Sequence, residues 1–264
     1  MKKYLVIGNP ISHSLSPQVH NFWMKNNNIN GYYEKKKLRS NELKDLIFKV
    51  KNKEIDGINV TVPFKKEVIK SLDQLSNEAN KTQSVNTIFL KNNKLFGHNT
   101  DIEGFKLAIK ESKFHAANKK ILILGAGGVV PSIIFALNDI NVSKIFISNR
   151  TREKAENLQK IFNNLEICSW GTIPDFDIVI NATSLGLNSD DEIKLDFSNV
   201  GKNKLFFDVI YNPKETKFLK TGKALGNQIE NGKMMFIYQA LAAFKIWHGI
   251  EPKVDKETIN LVNQ

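Results

Sequence analysis

The chain has one cysteine, Cys168, in 264 residues. That excludes an intrachain disulfide and gives no support to a secreted, cross-linked scaffold. Long apolar runs are also missing, since none approaches the roughly 18 residues a membrane span needs. The start Met1-Lys2-Lys3 is basic, but the apolar stretch after it is only Tyr4-Leu5-Val6-Ile7, too short for a signal-peptide core. The expectation is a cytoplasmic protein with no membrane partner. His13, His20, His98, His115 and His248 show no metal-ligand spacing, so no metal is expected. Acidic residues are few, 27 against 38 Lys plus Arg, which leaves a formal charge of +11. The lysines are scattered, with Lys35-Lys36-Lys37 and Lys65-Lys66 the densest runs, and many asparagines accompany them. This is a general Lys/Asn bias rather than a nucleic-acid-binding stripe, and it suits the steering of small anionic ligands.

Strand-like and helix-like segments alternate in two blocks. The first reads as strand Lys3–Gly8, helix Pro17–Asn27, strand Tyr32–Leu38, helix Asn41–Lys51, and strand Gly57–Val62 ending at Pro63. Leu43, Leu46, Ile47 and Val50 fall at helical spacing in the second of these helices. A hairpin follows, Val85–Leu90 and Lys94–His98 across Lys91-Asn92-Asn93, then a helix from Asp101 to about Ser112 and a polar stretch, Lys113–Lys119. The second block has strands at Ile121–Leu124, Lys144–Ser148, Ile178–Ile180 and Leu205–Val209. Its helices run from the glycines to about Asn138 and over Arg152–Phe162. A long helix, Lys233–His248, lies beyond the last strand and is free to pack back on the first block. Such alternation predicts an α/β protein with parallel sheets and helical crossovers.

Three loops carry chemical signals. Gly8-Asn9-Pro10-Ile11-Ser12-His13-Ser14-Leu15-Ser16-Pro17 follows a buried strand, is stiffened by two prolines, and is dense in hydroxyls. A strand ending in such a loop is a common place for an α/β protein to hold a polar ligand. Gly125-Ala126-Gly127-Gly128 follows the strand Ile121–Leu124 and opens a helix. Gly125 permits the tight turn, Gly127 lets the backbone approach a pyrophosphate, and the helix N-terminus offers free N–H groups. Val130 stands where the usual third glycine falls, and Pro131 fits only a first helical turn. After the next strand comes Asn149-Arg150-Thr151-Arg152-Glu153-Lys154. No acid stands where a dinucleotide's free ribose 2′-hydroxyl would be bound, and three cations cluster there. Guanidinium suits a 2′-phosphate, so NADP is preferred over NAD; a solvated helix start capped by Thr151 is the plainer reading.

The third signal pairs two distant segments. Asn59-Val60-Thr61-Val62-Pro63-Phe64-Lys65 places Asn59 and Thr61 on one strand face and Lys65 just past a proline break. Asn99-Thr100-Asp101 ends a strand and opens a helix. A lysine held by an aspartate can hydrogen-bond a carbonyl or hydroxyl and move a proton. Lys65 reads equally as a surface lysine and Asp101 as a helix cap. His13 is a further catalytic candidate or a packing residue. Ser184, in Asn181-Ala182-Thr183-Ser184-Leu185-Gly186, lacks the flanking glycines of a nucleophile elbow and better suits a loop beside a cofactor.

These motifs are joined by Ser84-Val85-Asn86-Thr87, Gly97–Gly104, Asp208-Val209-Ile210-Tyr211-Asn212-Pro213 and Gly232–Gln239. Together, and in this order, they resemble the shikimate dehydrogenase family along nearly the whole chain. The resemblance implies NADPH-dependent, reversible reduction of 3-dehydroshikimate to shikimate, on the route to chorismate and the aromatic amino acids. It implies a discontinuous substrate domain, 1–101 plus about 233–264, and a Rossmann-like NADP domain, about 102–232. Ser14 and Ser16 look like the carboxylate-holding hydroxyls, and Asn59, Thr61, Asn86 and Asp101 like ring-hydroxyl contacts. Lys65 looks like the catalytic acid/base, paired with Asp101, while Tyr211 and Gln239 look like further substrate contacts. Gly125, Ala126, Gly127, Gly128, Val129, Asn149, Arg150, Thr151, Lys154, Thr183, Val209, Gly232 and Met235 look like the cofactor wall. Val129-Val130-Pro131, Val209 and Lys233-Met234 depart from the residues usual in the family, which touches cofactor fit and leaves the substrate motifs intact. A monomer or homodimer is expected. A quinate/shikimate dehydrogenase using NAD, a folate-type NADP dehydrogenase and a non-catalytic dinucleotide-binding regulator are the alternatives. The Arg150 region opposes the first, the serine loop the second, and the presence of Lys65 and Asp101 the third.

Overall fold

The computed structural model describes residues 1–188 and 190–263; Gln264, the end of the expected substrate domain, lies outside them. The chain forms two compact units, Met1–Gly104 with Ile237–Gln264, and Phe105–Phe236.

The first unit begins with β1 (Lys2–Gly8), α1 (Ser16–Asn26), β2 (Gly31–Lys37), α2 (Leu43–Lys51) and β3 (Gly57–Val60). It continues with β4 (Gln74–Leu75), α3 (Asn77–Thr82), β5 (Thr87–Lys91) and β6 (Lys94–His98), and α4 (Asp101–Glu111) opens at its end. The sheet order is β2-β1-β3-β5-β6-β4. β2, β1 and β3 run parallel, and β5 is antiparallel to both β3 and β6. The C-terminal ends of β1, β3 and β6 therefore share one sheet edge with the start of β5, and every polar loop of this unit singled out above opens there. Beneath lies an apolar core that includes Leu5, Ile7, Ile58, Val60 and Ile88 of the sheet and Leu43, Leu46, Ile47 and Val50 of α2. The predicted helical spacing of that last quartet is the face α2 buries. The β5–β6 hairpin turns at Asn92-Asn93, both at positive φ, which is the backbone a two-residue primed turn requires.

The second unit holds β7 (Lys120–Leu124), α5 (Val130–Asp139), β8 (Lys144–Ser148), α6 (Arg152–Gln159) and β9 (Leu165–Cys168). Then follow β10 (Ile178–Asn181), β11 (Leu205–Asp208), α7 (Lys217–Ala224), β12 (Gln228–Glu230) and the start of α8 (Lys233–His248). All six strands are parallel, in the order β12-β11-β10-β7-β8-β9. This is the doubly wound order of dinucleotide-binding sheets, with its switch point between β7 and β10. The first unit closes with the rest of α8 and α9 (Lys256–Leu261).

Several predicted boundaries shift. β3 ends at Val60, not Val62, because the chain turns at once over Thr61–Lys65 with Phe64 N–H donating to the Thr61 carbonyl (3.0 Å). α6 stops at Gln159, short of Phe162. β4, α3, β9, α7, β12 and α9 have no counterpart in the predicted pattern. α7 is mostly polar and contains Gly222, which reads as a breaker. In the fold a Cβ there would come within 2.5 Å of the Phe206 ring, so glycine is what lets α7 lie on β11.

Candidate active site

The first unit's polar edge is a connected network. Phe64 is buried in the apolar core and Val85 N–H donates to the Lys65 carbonyl (2.9 Å), so the backbone carrying Lys65 is fixed from both sides. Lys65 Nζ donates to Asp101 Oδ2 at 2.5 Å, with the two side chains only 12% and 9% exposed. Asp101 opens α4, where the helix dipole favours a negative charge, and its N–H donates to Asn99 Oδ1 (3.2 Å). Its second oxygen accepts from Asn86 Nδ2 at 2.9 Å. The Asn86 amide has one possible orientation, because its Oδ1 accepts from the Thr100 N–H (2.8 Å), a group that can only donate. Thr87 Oγ1 donates to the same oxygen (3.0 Å).

Asn59 is oriented by the same logic. Its Nδ2 donates to the Asn86 carbonyl (3.0 Å) and to Thr87 Oγ1 (3.1 Å), which leaves Oδ1 to accept from the Tyr33 hydroxyl at 2.7 Å. Burial pushes the Tyr33 phenol well above its ordinary value, against a hydrogen bond with Ser16 that lowers it, so the hydroxyl stays protonated and donating. Ser16 is buried and Ser14 half-buried; Ser14 Oγ donates to Ser16 Oγ (3.2 Å), and Lys35 Nζ holds the Ser12 carbonyl. Thr61 N–H donates to the Ile7 carbonyl (2.9 Å), and a Cβ on Gly8 would collide with Thr61 Cγ2, so the serine loop leaves β1 tight against Thr61. Ser14, Ser16, Asn59, Thr61, Lys65, Asn86 and Asp101 thus all stand at this one edge. Tyr33, Thr87, Asn99 and Thr100 hold the network and were absent from the predicted set. Thr87 and Thr100 lie inside the segments Ser84–Thr87 and Asn99–Asp101 that the sequence singles out; Tyr33 carried no signal, because tyrosine suits any strand. His13 is exposed and joins none of these bonds. Gln239 lies on the part of α8 that belongs to this unit.

In the second unit the candidates line the C-terminal edge of the parallel sheet. Gly125 has φ +107°, and a Cβ there would come within 2.9 Å of the Ala182 carbonyl oxygen and 3.0 Å of Thr183 Cγ2. Gly128 has nothing within 4 Å of an added Cβ, and Gly127 only the Ala182 carbonyl at 3.7 Å, so both backbones are open to a ligand. The N–H groups of Gly127, Gly128 and Val129 meet no acceptor among the described residues, and α5 starts without a side-chain cap. Pro131 sits in its first turn, and Val130 is buried where a third glycine would be. Arg150, Thr151 and Lys154 are exposed past the end of β8; Asn149 Nδ2 donates to the Thr151 carbonyl (2.7 Å), and Thr151 makes no side-chain cap bond. Arg150 has no ion-pair partner among the described residues. Val209 follows β11, and a Cβ at Gly232 would overlap its carbonyl. Met235 is buried in the first turn of α8, and Tyr211 stacks on Phe236 with ring centroids 4.8 Å apart. Open glycine backbone, an uncapped helix start and an unpaired guanidinium fit a phosphorylated dinucleotide.

Family profiles match segments of both units. Residues 6–88 match the family profile described as the shikimate dehydrogenase substrate binding domain, 106–216 that of shikimate / quinate 5-dehydrogenase, and 235–256 that of the shikimate 5′-dehydrogenase C-terminal domain. A shikimate dehydrogenase (NADP(+)) of Pelagibacter ubique is 56% identical over 99% of both chains. The chain belongs to the shikimate dehydrogenase family. A shikimate dehydrogenase (NADP(+)) of Staphylococcus haemolyticus is 38% identical over 96% of this chain and 94% of its own. Among solved structures, a shikimate dehydrogenase in complex with NADP+ superposes with a TM-score of 0.93 at 36% identity, covering 99% of this chain and 94% of that one. The Thermus thermophilus enzyme, solved with NADP(H) and shikimate, superposes with 0.90 at 30% identity over 100% and 98%. No helix among the described residues is long and apolar enough to cross a membrane.

Proposed function

We propose that this chain interconverts 3-dehydroshikimate and shikimate with NADP(H), and that Lys65, held by Asp101, moves the proton. The observation that carries the reading is the Lys65–Asp101 contact, nearly buried and bridged by Asn86 to the rest of the polar edge. A free surface lysine would not be held this way. When bound, NADP(H) supplies or accepts the hydride. Lys65 Nζ gives its proton to the ketone oxygen in reduction and takes it from the hydroxyl in oxidation, while Asp101 keeps the ammonium in place. Ser14 and Ser16 hold the substrate carboxylate; Asn59, Thr61 and Asn86 take ring hydroxyls; Tyr211 and Gln239 add contacts. Holding both reactants in one geometry contributes most of the rate, and proton transfer adds about 10²–10⁴-fold.

The first unit is the substrate domain and the second the NADP domain. The glycine loop takes the pyrophosphate, Asn149, Arg150, Thr151 and Lys154 the adenosine 2′-phosphate, and Thr183, Val209, Gly232 and Met235 the nicotinamide half. The lack of an acid at the very end of β8, where Asn149 and Arg150 stand, opposes a quinate/shikimate dehydrogenase that uses NAD. The reading needs no metal and no second chain, so monomer and homodimer serve it equally, and it suits a cytoplasmic enzyme. The test is shikimate-dependent reduction of NADP+ beside NAD+, with quinate as the competing substrate. The expected result is kcat/KM highest for the shikimate and NADP+ pair; equal use of quinate, or a preference for NAD+, would overturn it.

A further inference from the structure

One carboxylate in the second unit is buried with no role in the proton transfer. Asp208 is the last residue of β11, pairs in register with Asn181 at the end of β10, and is fully enclosed. Its Oδ1 accepts from the Ile210 N–H (3.0 Å) and its Oδ2 from Thr216 Oγ1 (2.7 Å), while Asn181 Nδ2 donates to both oxygens at 3.1 Å. Every group facing it is a donor, which is the shell of an ionised carboxylate. Asn181, Thr216 and Ile210 do not titrate, and no charged side chain among the described residues contributes to its environment. Burial raises its pKa to about 6 against the pull of these hydrogen bonds.

The partners of Asp208 reach the cofactor wall. Asn181, whose Nδ2 donates to the carboxylate and to the Leu185 carbonyl (3.1 Å), turns Oδ1 to the Thr183 N–H (3.0 Å) and to Thr183 Oγ1 (2.7 Å), and Thr183 Oγ1 accepts from the Leu185 N–H (3.0 Å). Thr183 stands against Gly125 of the glycine loop. On the other side the Val209 N–H donates to the Asn181 carbonyl (3.0 Å), and the Val209 carbonyl is the group that makes Gly232 obligatory. Thr216 in turn caps α7 and lies against Gly186. Because Arg150 takes the adenosine end and the glycine loop the pyrophosphate, the loops after β10 and β11 face the nicotinamide half.

We propose that Asp208 is a positioning residue for the cofactor: its ionised carboxylate fixes Asn181, and through it Thr183, at a set separation from Val209. The proposal rests on the NADP role assigned to this unit. Protonation would place a hydrogen against a shell of donors, so the loops should loosen and NADPH affinity fall as Asp208 is neutralised.

The experiment is NADPH binding by fluorescence titration of the full chain between pH 5 and 8, with shikimate-dependent activity measured alongside. Titration of the 2′-phosphate is common to all variants and cancels in the ratio to wild type. Thr216→Val removes one donor and should move the acid-side loss of affinity to higher pH, and Thr216→Ser should restore it. Asp208→Asn sets an amide N–H against Asn181 Nδ2; at pH 7.5 it should weaken NADPH roughly 2- to 30-fold, remove that pH-dependent limb, and leave KM for shikimate at saturating NADP+ near wild type. If Asp208→Asn does not fold, the Thr216 pair decides. A Thr216→Val profile superimposed on wild type, or a folded Asp208→Asn with unchanged NADPH affinity, overturns the proposal. Those results with normal shikimate activity leave the functional reading standing; the expected binding pattern without shikimate activity sinks that reading alone.

Discussion

The polar edge of the first unit and the glycine-loop edge of the second are both strand ends, yet they are built differently. At the first, Lys65, Asp101, Asn86, Asn59 and Tyr33 are bonded to one another and largely shut from water. At the second, Gly127, Gly128, Arg150 and Lys154 are exposed, and the N–H groups of Gly127, Gly128 and Val129 have no acceptor among the described residues. A group that must hold a proton at a fixed point gains from a rigid buried frame, since in low dielectric an unpaired partner is costly. Groups that receive a phosphate need to be open and unpaired, because the ligand completes them. The contrast also says where stability and function are coupled: tightly at the first edge, weakly at the second.

The largest expected effect breaks the first edge. Lys65→Met should lower kcat by about 10²–10⁴-fold with KM for shikimate little changed. It should also lower stability, since Asp101 then keeps a nearly buried charge without its cation, a loss of roughly 3–5 kcal/mol for a buried pair. The double variant Lys65→Met/Asp101→Leu should recover much of the stability and none of the activity, by thermal melting beside steady-state assay. Near-normal kcat in Lys65→Met would remove the lysine from the chemistry.

The second edge should give the opposite pattern. Arg150 is exposed and has no ion-pair partner among the described residues, so Arg150→Ala should leave the melting temperature in place. It should weaken NADPH by about 1.5–3 kcal/mol, the worth of a charged hydrogen bond, and leave NADH unaffected. Equal losses for both coenzymes would mean that Arg150 does not read the 2′-phosphate.

The two edges also differed in how legible they were. The glycine loop could be read because its requirement is local: a strand, a turn with positive φ at Gly125, and a helix start lie within a dozen residues. The first edge is assembled from loops far apart in the chain, and Lys65 and Asp101 meet only because β3 and β6 end at the same side of one sheet. Local reading left Lys65 open as a surface lysine; the order of motifs, not the physics of any one, singled it out. Tyr33 and Asp208 were beyond reach for a related reason. Each acts through an asparagine on another strand, and neither spacing nor propensity encodes that bond. The short or polar elements were lost because their few buried positions give no period: Leu165 in β9, and Phe218, Leu219 and Gly222 in α7.

The smallest effect tests what lies behind the first edge. His20 stacks on Tyr33, with centroids 4.3 Å apart and planes at 7°, and is surrounded by Trp23, Phe244 and Trp247. Its Nε2 is buried without an acceptor among the described residues, as is that of His248, which packs on Tyr4 and Phe244. Burial, with some help from His248, lowers His20 to about 3; burial and then Lys2 lower His248 to about 4 against the opposing pull of Asp56. Both imidazoles are therefore neutral in the fold where the unfolded chain would take up protons. The stability they confer is complete above pH 6.5 and is lost as pH falls toward 4 and then 3, by up to about 1.4 kcal/mol per pH unit for each ring. His20→Leu removes one of these protons and a buried unpaired nitrogen, at the cost of a ring stacked on Tyr33. Urea denaturation at pH 7.5 should show a change within about 1–2 kcal/mol. At pH 4.5 the variant should retain more of its pH 7.5 stability than wild type does. Identical acid losses in the two chains would show that the cluster holding Tyr33 is not what acid attacks.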